Sequence, residues 1–231
     1  SEFLKERGIP FRRISKIGYQ KEKILSFYDW LKKKSDNICI YLADPSYINS
    51  FNNNEYDKAI QRFDRSILNT KGTFIYFSSS SVYCEKKSGF YSEDDLKSKD
   101  TFYSRLKNRN EDKLIELCKS QNRRFIILRI PIVFNRFPKK GTLFEKIIKT
   151  NNTGKLYLSG DYSFNQEFLY GEDLFDIILN LVFFIKKKSL ILNLSSSMQV
   201  NIMNLIRPEF RYCSCARPNA LLDNNKFLSL V

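Results

Sequence analysis

The sequence predicts an α/β fold with a parallel sheet. Short apolar runs rich in β-branched and aromatic residues recur along the chain, and segments with helical spacing of apolar residues separate them. Strands that alternate with helices in this way pair in parallel through right-handed crossovers. The 231 residues suffice for one domain, or for one large and one small lobe, and a hydrophobic fraction of 42% supports a sizeable core.

The elements follow in order. Ser1 to Arg7 reads as the end of a helix with Gly8 as its C-cap, and Ile9 to Ile14 as a strand. Glu22 to Lys34 reads as a helix with Ile24, Leu25, Phe27, Tyr28 and Leu31 on its apolar face. Asn37 to Leu42 is a short strand ending in Ala43-Asp44, Asn49 to Asn54 a polar loop, and Tyr56 to Leu68 the next helix. Phe74-Ile75-Tyr76-Phe77 is a strand that runs into the serines 78 to 81. A helix spans Tyr103 to Lys119, and Phe125 to Ile130 is a buried strand. From Asn135 onward loops lengthen and strands shorten: helix Thr142 to Lys149, strand Lys155 to Leu158, helix Asp173 to Ile185, strand Ile191 to Leu194. That change of character divides the chain into residues 1–134 and a smaller lobe, 135–231.

Composition narrows the chemistry. Net charge is +14, from 39 Lys and Arg against 25 Asp and Glu. The excess is scattered lysine, which reads as compositional bias more than as a nucleic-acid surface, although it also suits a diphosphate ligand. There is no histidine, which excludes histidine triads and histidine metal sites. The five cysteines read as reduced thiols of a cytoplasmic protein with no disulfide. Cys213-Ser214-Cys215 lacks zinc-ligand spacing, so no metal is expected. The longest apolar run, Ile177 to Ile185, contains Asn180 and is too short to span a bilayer, so no membrane is expected.

The chemistry centres on Tyr103-Ser104-Arg105-Leu106-Lys107 and on the serine run before it. A tyrosine and a lysine four apart share one helix face. An ammonium near a phenol stabilises the phenolate. A nearby hydroxyl can hold a substrate oxygen, and together the three groups could move a proton to or from an alcohol or ketone.

These segments resemble the extended short-chain dehydrogenase/reductases that act on nucleotide sugars. The resemblance runs through Phe74 to Tyr83, Tyr91 to Asp95, Tyr103 to Lys107 with Glu111, Arg129 to Val133, and Phe168 to Leu174. Arg217-Pro218-Asn219 with Leu222 to Lys226 is similar to the C-terminal signature of the dTDP-4-dehydrorhamnose reductase branch. Six landmarks in family order cover most of the chain.

The resemblance implies a Rossmann-like sheet with a small α+β substrate lobe closing over its carboxyl edge. The family's first strand and Gly-x-x-Gly-x-x-Gly turn would precede Ser1. Truncation is the expected reason that they are missing, and a chain without that turn is expected to bind dinucleotide poorly. The C-terminus also looks short. Tyr103 is implied as the general acid, Lys107 as the group that tunes it and holds the nicotinamide ribose, and Ser79, four before Tyr83, as the partner of the sugar oxygen. Ser80 takes that role if the register slips by one. Leu42, Ala43, Ser78 and Val133 fall where the family lines its cofactor. Ser80, Tyr83, Asn135 and Arg136 fall on the substrate side, and Arg136, Lys139 and Lys140 could meet a diphosphate. The family's water-supporting asparagine has no clear counterpart; Asn54 is nearest. Cys84 stands where the family usually has glycine. After the second strand Arg12, Arg13, Ser15 and Lys16 include no carboxylate, which favours NADP over NAD because cations suit a 2′-phosphate.

The function expected is NAD(P)-dependent oxidoreduction of a nucleotide-diphosphate sugar: a 4-keto reductase or epimerase in surface-polysaccharide or deoxysugar biosynthesis, with room for a homodimer. A dehydratase is disfavoured, because Ser80 and Ser81 stand where those enzymes carry carboxylates. The alternative is a non-catalytic relative that binds nucleotide, RNA or a protein partner.

Overall fold

The computed structural model describes residues 14–15, 25–26, 38–42, 44, 53–83, 89–98, 101–136, 138, 140–155, 157, 165–183, 189–196, 199–207, 220–223 and 225–229. The chain forms two compact units, one of Ser1–Tyr76 with Arg109–Ile126 and one of Phe77–Asn108 with Ile127–Val231. A four-stranded sheet has the order β3-β4-β6-β9, formed by Cys39–Tyr41, Phe74–Ser79, Phe125–Ile130 and Leu190–Asn193. Strands β3 and β4 pair in parallel with Cys39 opposite Phe74. Parallel neighbours need a crossover, and helix α1, Asn53–Asn69, supplies it. Helix α2, Phe102–Ser120, lies in sequence between β4 and β6.

In the first unit the core is aromatic. Phe63 of α1 meets the Tyr41 ring edge-on at 5.0 Å and lies 4.9 Å from the Tyr76 ring. Ala59, Phe63, Ser66 and Ile67 form the buried face of α1, the spacing of a helix packed on one side. The buried Ser66 hydroxyl donates to the Arg62 carbonyl at 2.7 Å, so its burial leaves no donor unmet. Phe74, Ile75 and Tyr76 are all fully buried, as in a strand covered on both faces. Arg109 of α2 holds Asp64 of α1 through both guanidinium nitrogens at 2.5 Å. This unit also carries a short parallel pair, β1 (Ile14–Ser15) with β2 (Leu25–Ser26).

The second unit begins where β4 passes into the serine run. Strand β5, Gly89–Tyr91, pairs in parallel with β11, Ala220–Leu222. Strands β7 (Ile132–Phe134), β8 (Asn165–Tyr170) and β10 (Gln199–Asn201) form a three-stranded sheet, parallel between β7 and β8 and antiparallel between β8 and β10. Helices α3 (Leu143–Thr153), α4 (Gly171–Phe183) and α5 (Asn225–Leu228) also belong to it. Phe168, Ile147, Ile202, Met203 and Ile206 form a core cluster, with Phe134 and Phe144 packed against it.

Two expectations change. Residues 25–26, placed in a helix by their spacing, pair as a strand with Ile14–Ser15. A short apolar cluster fits either period, and here a partner strand decides it. The rest of that helix, and the elements expected over residues 1–13, lie outside the described residues. Residues 155 and 157, expected in a strand, have no regular structure. Gly154 takes the left-handed conformation, φ 68°, and ends α3. The amides that a strand would need are then taken by the helix end: Lys155 N–H donates to Thr153 Oγ1 at 3.3 Å, and Tyr157 N–H to Thr150 Oγ1 at 3.2 Å.

Candidate active site

The site grows from the way β4 ends. Ser79 is its last residue, in extended conformation, and caps a single 3-10 turn, Ser80–Val82. Four serines in a row favour such an end, because short hydroxyl side chains offer the backbone local partners that a ladder would otherwise supply. Ser81 N–H donates to Ser79 Oγ at 3.2 Å, and Ser81 Oγ donates to the same oxygen at 3.1 Å. Tyr83 N–H closes the turn onto the Ser80 carbonyl at 3.2 Å.

Helix α2 opens with a reciprocal cap. Ser104 N–H donates to Thr101 Oγ1 and Thr101 N–H to Ser104 Oγ, both at 3.0 Å. Tyr103 therefore sits in a well-defined first turn, half-buried, and no described residue takes its hydroxyl. Lys107 follows one turn later, and its ammonium lies 5.4 Å from the centre of the Tyr103 ring. Lys107 is buried and donates to the Phe77 carbonyl at 2.6 Å, two residues before Ser79. The next residue, Asn108, is also buried and donates to the Val82 carbonyl at 3.4 Å and to the Ser98 carbonyl. Successive side chains of α2 thus grip both ends of the serine turn.

Behind the turn lies a second polar cluster. Tyr83 is buried; its hydroxyl donates to Asn193 Oδ1 at 2.6 Å and accepts from Arg129 at 2.8 Å. Its ring stacks on Tyr91 at 5.1 Å, and the Arg129 guanidinium lies 5.0 Å from the ring centre. Burial pushes the Tyr83 phenol up to about 12, against the pull of Arg129. Arg129 also donates to the Glu93 carbonyl at 2.9 Å, while the Asn193 backbone N–H donates to Glu93 Oε1 and its side-chain Nδ2 to the Tyr91 carbonyl, each at 2.8 Å. The loop after β5 is fastened to β9 by these bonds.

The remaining expected site residues are dispersed. Ser78 is buried and Ser80 half-buried, both in the serine run. Val133 is half-buried on β7, paired with Leu169 of β8. Asn135 and Arg136 are exposed just after β7. The Asn135 side chain occupies the space above Gly171: a Cβ there would lie 2.0 Å from Asn135 Oδ1. Leu42 is exposed beyond β3, and Ser15 lies on β1. Arg12, Arg13, Lys16, Ala43, Lys139 and Cys84 lie outside the described residues, as do Cys213 and Cys215. Cys39 and Cys118 are free, and burial pushes the Cys39 thiol up to about 11. Among the described residues no cluster of side chains could hold a metal ion, and no helix is long and apolar enough to cross a membrane.

Sequence reading missed Asn108 and Glu167, and weighed Ser81 only against a dehydratase. Glu167 is buried on β8, where its carboxylate accepts from Ser195 Oγ at 2.9 Å and from Leu222 N–H at 3.1 Å. Burial raises its pKa above the ordinary carboxylate range.

Residues 58–192 match the family model described as the NAD dependent epimerase/dehydratase family. The chain belongs to that family. The match takes in most of α1, the serine turn, Tyr103 and Lys107. No curated protein matches the sequence. Among solved structures, MoeE5 in complex with UDP-glucuronic acid and NAD is similar at 18% identity, with 98% of this chain and 86% of that chain covered and a TM-score of 0.80. UDP-N-acetylglucosamine 4-epimerase from Bacillus cereus is similar at 14% identity, 99% and 86% coverage and a TM-score of 0.78. A dTDP-glucose 4,6-dehydratase from Streptomyces venezuelae, with NAD bound, is similar at 13% identity, 84% and 66% coverage and a TM-score of 0.71. At these identities the likeness is one of fold: a Rossmann-like α/β fold shared with nucleotide-sugar epimerases and dehydratases.

Proposed function

We propose that the protein is an NAD(P)-dependent nucleotide-sugar oxidoreductase, a 4-keto reductase or 4-epimerase of surface-polysaccharide or deoxysugar synthesis. The observation that carries this reading is the anchoring of Lys107. A buried ammonium, one turn from Tyr103, is bonded to the strand end that leads into Ser79. Burying a cation is costly unless the position serves a purpose, and here it fixes the helix pair beside the serine turn.

The dinucleotide would supply or accept the hydride. The donor set suits its ribose: the hydroxyl of Ser78 and the ammonium of Lys107, with Val133 as an apolar flank. Tyr103 would give its proton to the sugar oxygen or take it back, and Lys107 would hold the phenol in place for that transfer. Ser79 would hydrogen-bond the same oxygen. Ser80, Asn135 and Arg136 would face the sugar nucleotide, whose diphosphate suits a basic protein of net charge +14. Tyr83 is left out of that set, because its hydroxyl is committed within the protein. Functionally, residues 1–134 would serve the cofactor and 135–231 the substrate, in a cytoplasmic enzyme.

Two of the relatives named above, MoeE5 and the dTDP-glucose 4,6-dehydratase, hold NAD by their descriptions. For this chain the preference proposed is NADP(H), from Arg12, Arg13, Ser15 and Lys16. Titrating the full-length protein with NADPH and NADH should show tighter NADPH binding; indifference or a preference for NADH would overturn the preference. Incubation with a panel of nucleotide-linked 4-keto sugars and 4-hydroxy sugars should show reduction or epimerisation. Normal cofactor binding without turnover on any of them would overturn the enzymatic reading.

A further inference from the structure

A serine hydroxyl carries one proton and two acceptor lone pairs. At Ser79 both acceptor positions are met by one residue, through Ser81 N–H at 3.2 Å and Ser81 Oγ at 3.1 Å. What Ser79 has left to present is its own proton. The reaction proposed above needs that state. When a ketone receives hydride its oxygen gains negative charge, and a fixed donor aimed at it stabilises the transition state. In the opposite direction the sugar hydroxyl must hand its proton to Tyr103. A serine able to accept that proton would compete for it; one able only to donate directs it to the tyrosine.

We propose that Ser81 is a positioning residue of this reaction: by saturating Ser79 Oγ as an acceptor, it makes Ser79 a donor only. The inference rests on the reading of Ser79 as the partner of the sugar oxygen. The turn itself does not require the Ser81 hydroxyl. Its cap is the backbone N–H of Ser81, its closure is Tyr83 N–H on the Ser80 carbonyl, and both ends are gripped by Lys107 and Asn108. Ser81→Ala should therefore keep the turn and lose only the second donor on Ser79.

The test is a double-mutant cycle on the full-length protein, with kcat and both KM values measured for wild type, Ser79→Ala, Ser81→Ala, Ser79→Ala/Ser81→Ala and Ser81→Thr. Loss of one orienting hydrogen bond predicts a kcat for Ser81→Ala lower by about tenfold, with KM for cofactor and sugar nucleotide unchanged. Ser81→Thr, which restores a hydroxyl, should recover most of it. With Ser79 already alanine, the Ser81 change should cost nothing further. A wild-type kcat in Ser81→Ala, or an equal loss in both backgrounds, would overturn the inference while an impaired Ser79→Ala keeps the functional reading. An unimpaired Ser79→Ala, or an inactive wild type, would overturn that reading and this inference with it.

Discussion

Two tyrosines in the second unit, twenty residues apart in sequence, end in opposite situations. Tyr83 is buried, stacked on Tyr91, and its hydroxyl is used both as donor, to Asn193, and as acceptor, from Arg129. Tyr103 is half-buried in the first turn of α2, beside an ammonium and with no described residue on its hydroxyl. Around Tyr83 a polar network is closed on itself, which rigidifies the loop it ties down. The Tyr103 hydroxyl meets no described residue, and Ser79 Oγ accepts two bonds from Ser81. A buried polar group that is fully paired supports the fold; one positioned by its neighbours and left with a proton to donate is available for chemistry.

That contrast can be broken or sharpened. The largest effect expected is from Lys107→Met, which keeps an apolar stem of similar length and removes the ammonium beside Tyr103. Turnover should fall by about 10²–10⁴, the range for loss of acid–base function, and cofactor affinity should fall with it. A loss of thermal stability with turnover kept would assign Lys107 to the scaffold.

Next in size is Gly171→Ala. Its Cβ would lie 2.0 Å from Asn135 Oδ1, the end of an exposed side chain that must swing aside, so the unfolding midpoint should fall by no more than the equivalent of about 1 kcal/mol. Asn135→Gly in the same chain should remove that cost. A larger loss that Asn135→Gly does not recover would show that something other than Asn135 fills the space.

The smallest effect concerns Glu167. Its folded-state pKa is raised by burial, so the favourable part of its contribution is complete below the ordinary carboxylate value of 4.5 and is lost as pH rises through the folded value. Glu167→Gln carries no charge and can still accept one bond and donate another. Its melting temperature relative to wild type should rise from pH 4 toward neutrality, by about 2–4 °C for each kcal/mol gained. A difference that instead shrinks as pH rises would mean that the carboxylate is stabilised in the fold.

Part of this was legible from residues alone. The alternation of β3, α1, β4, α2 and β6 follows from local periodicity, and Tyr103 and Lys107 share a helix face by spacing. What escaped depends on partners far along the chain. Strands β8, β10 and β11 carry no strong alternating pattern; they are strands because Glu167 lies opposite Gln199, and Ala220 opposite Gly89. Glu167 looks like a surface acid between Gln166 and Phe168, yet its partner amide, Leu222, is 55 residues away. The register of Ser79 against Tyr83 could be read from the serine run, but which hydroxyl accepts from which could not. Asn108 is one more polar residue after Lys107 until the turn that it grips is in place.

The most direct test compares the two tyrosines, each changed to phenylalanine, with turnover and unfolding free energy measured on both. Tyr103→Phe should lower kcat by about 10²–10⁴ and leave stability nearly unchanged. Tyr83→Phe strands a buried arginine donor and a buried amide oxygen, so it should cost about 1–3 kcal/mol of stability while the folded fraction keeps most of its turnover. The reverse pattern, with Tyr103→Phe active and Tyr83→Phe inactive yet stable, would contradict the assignment of chemistry to Tyr103 and of support to Tyr83.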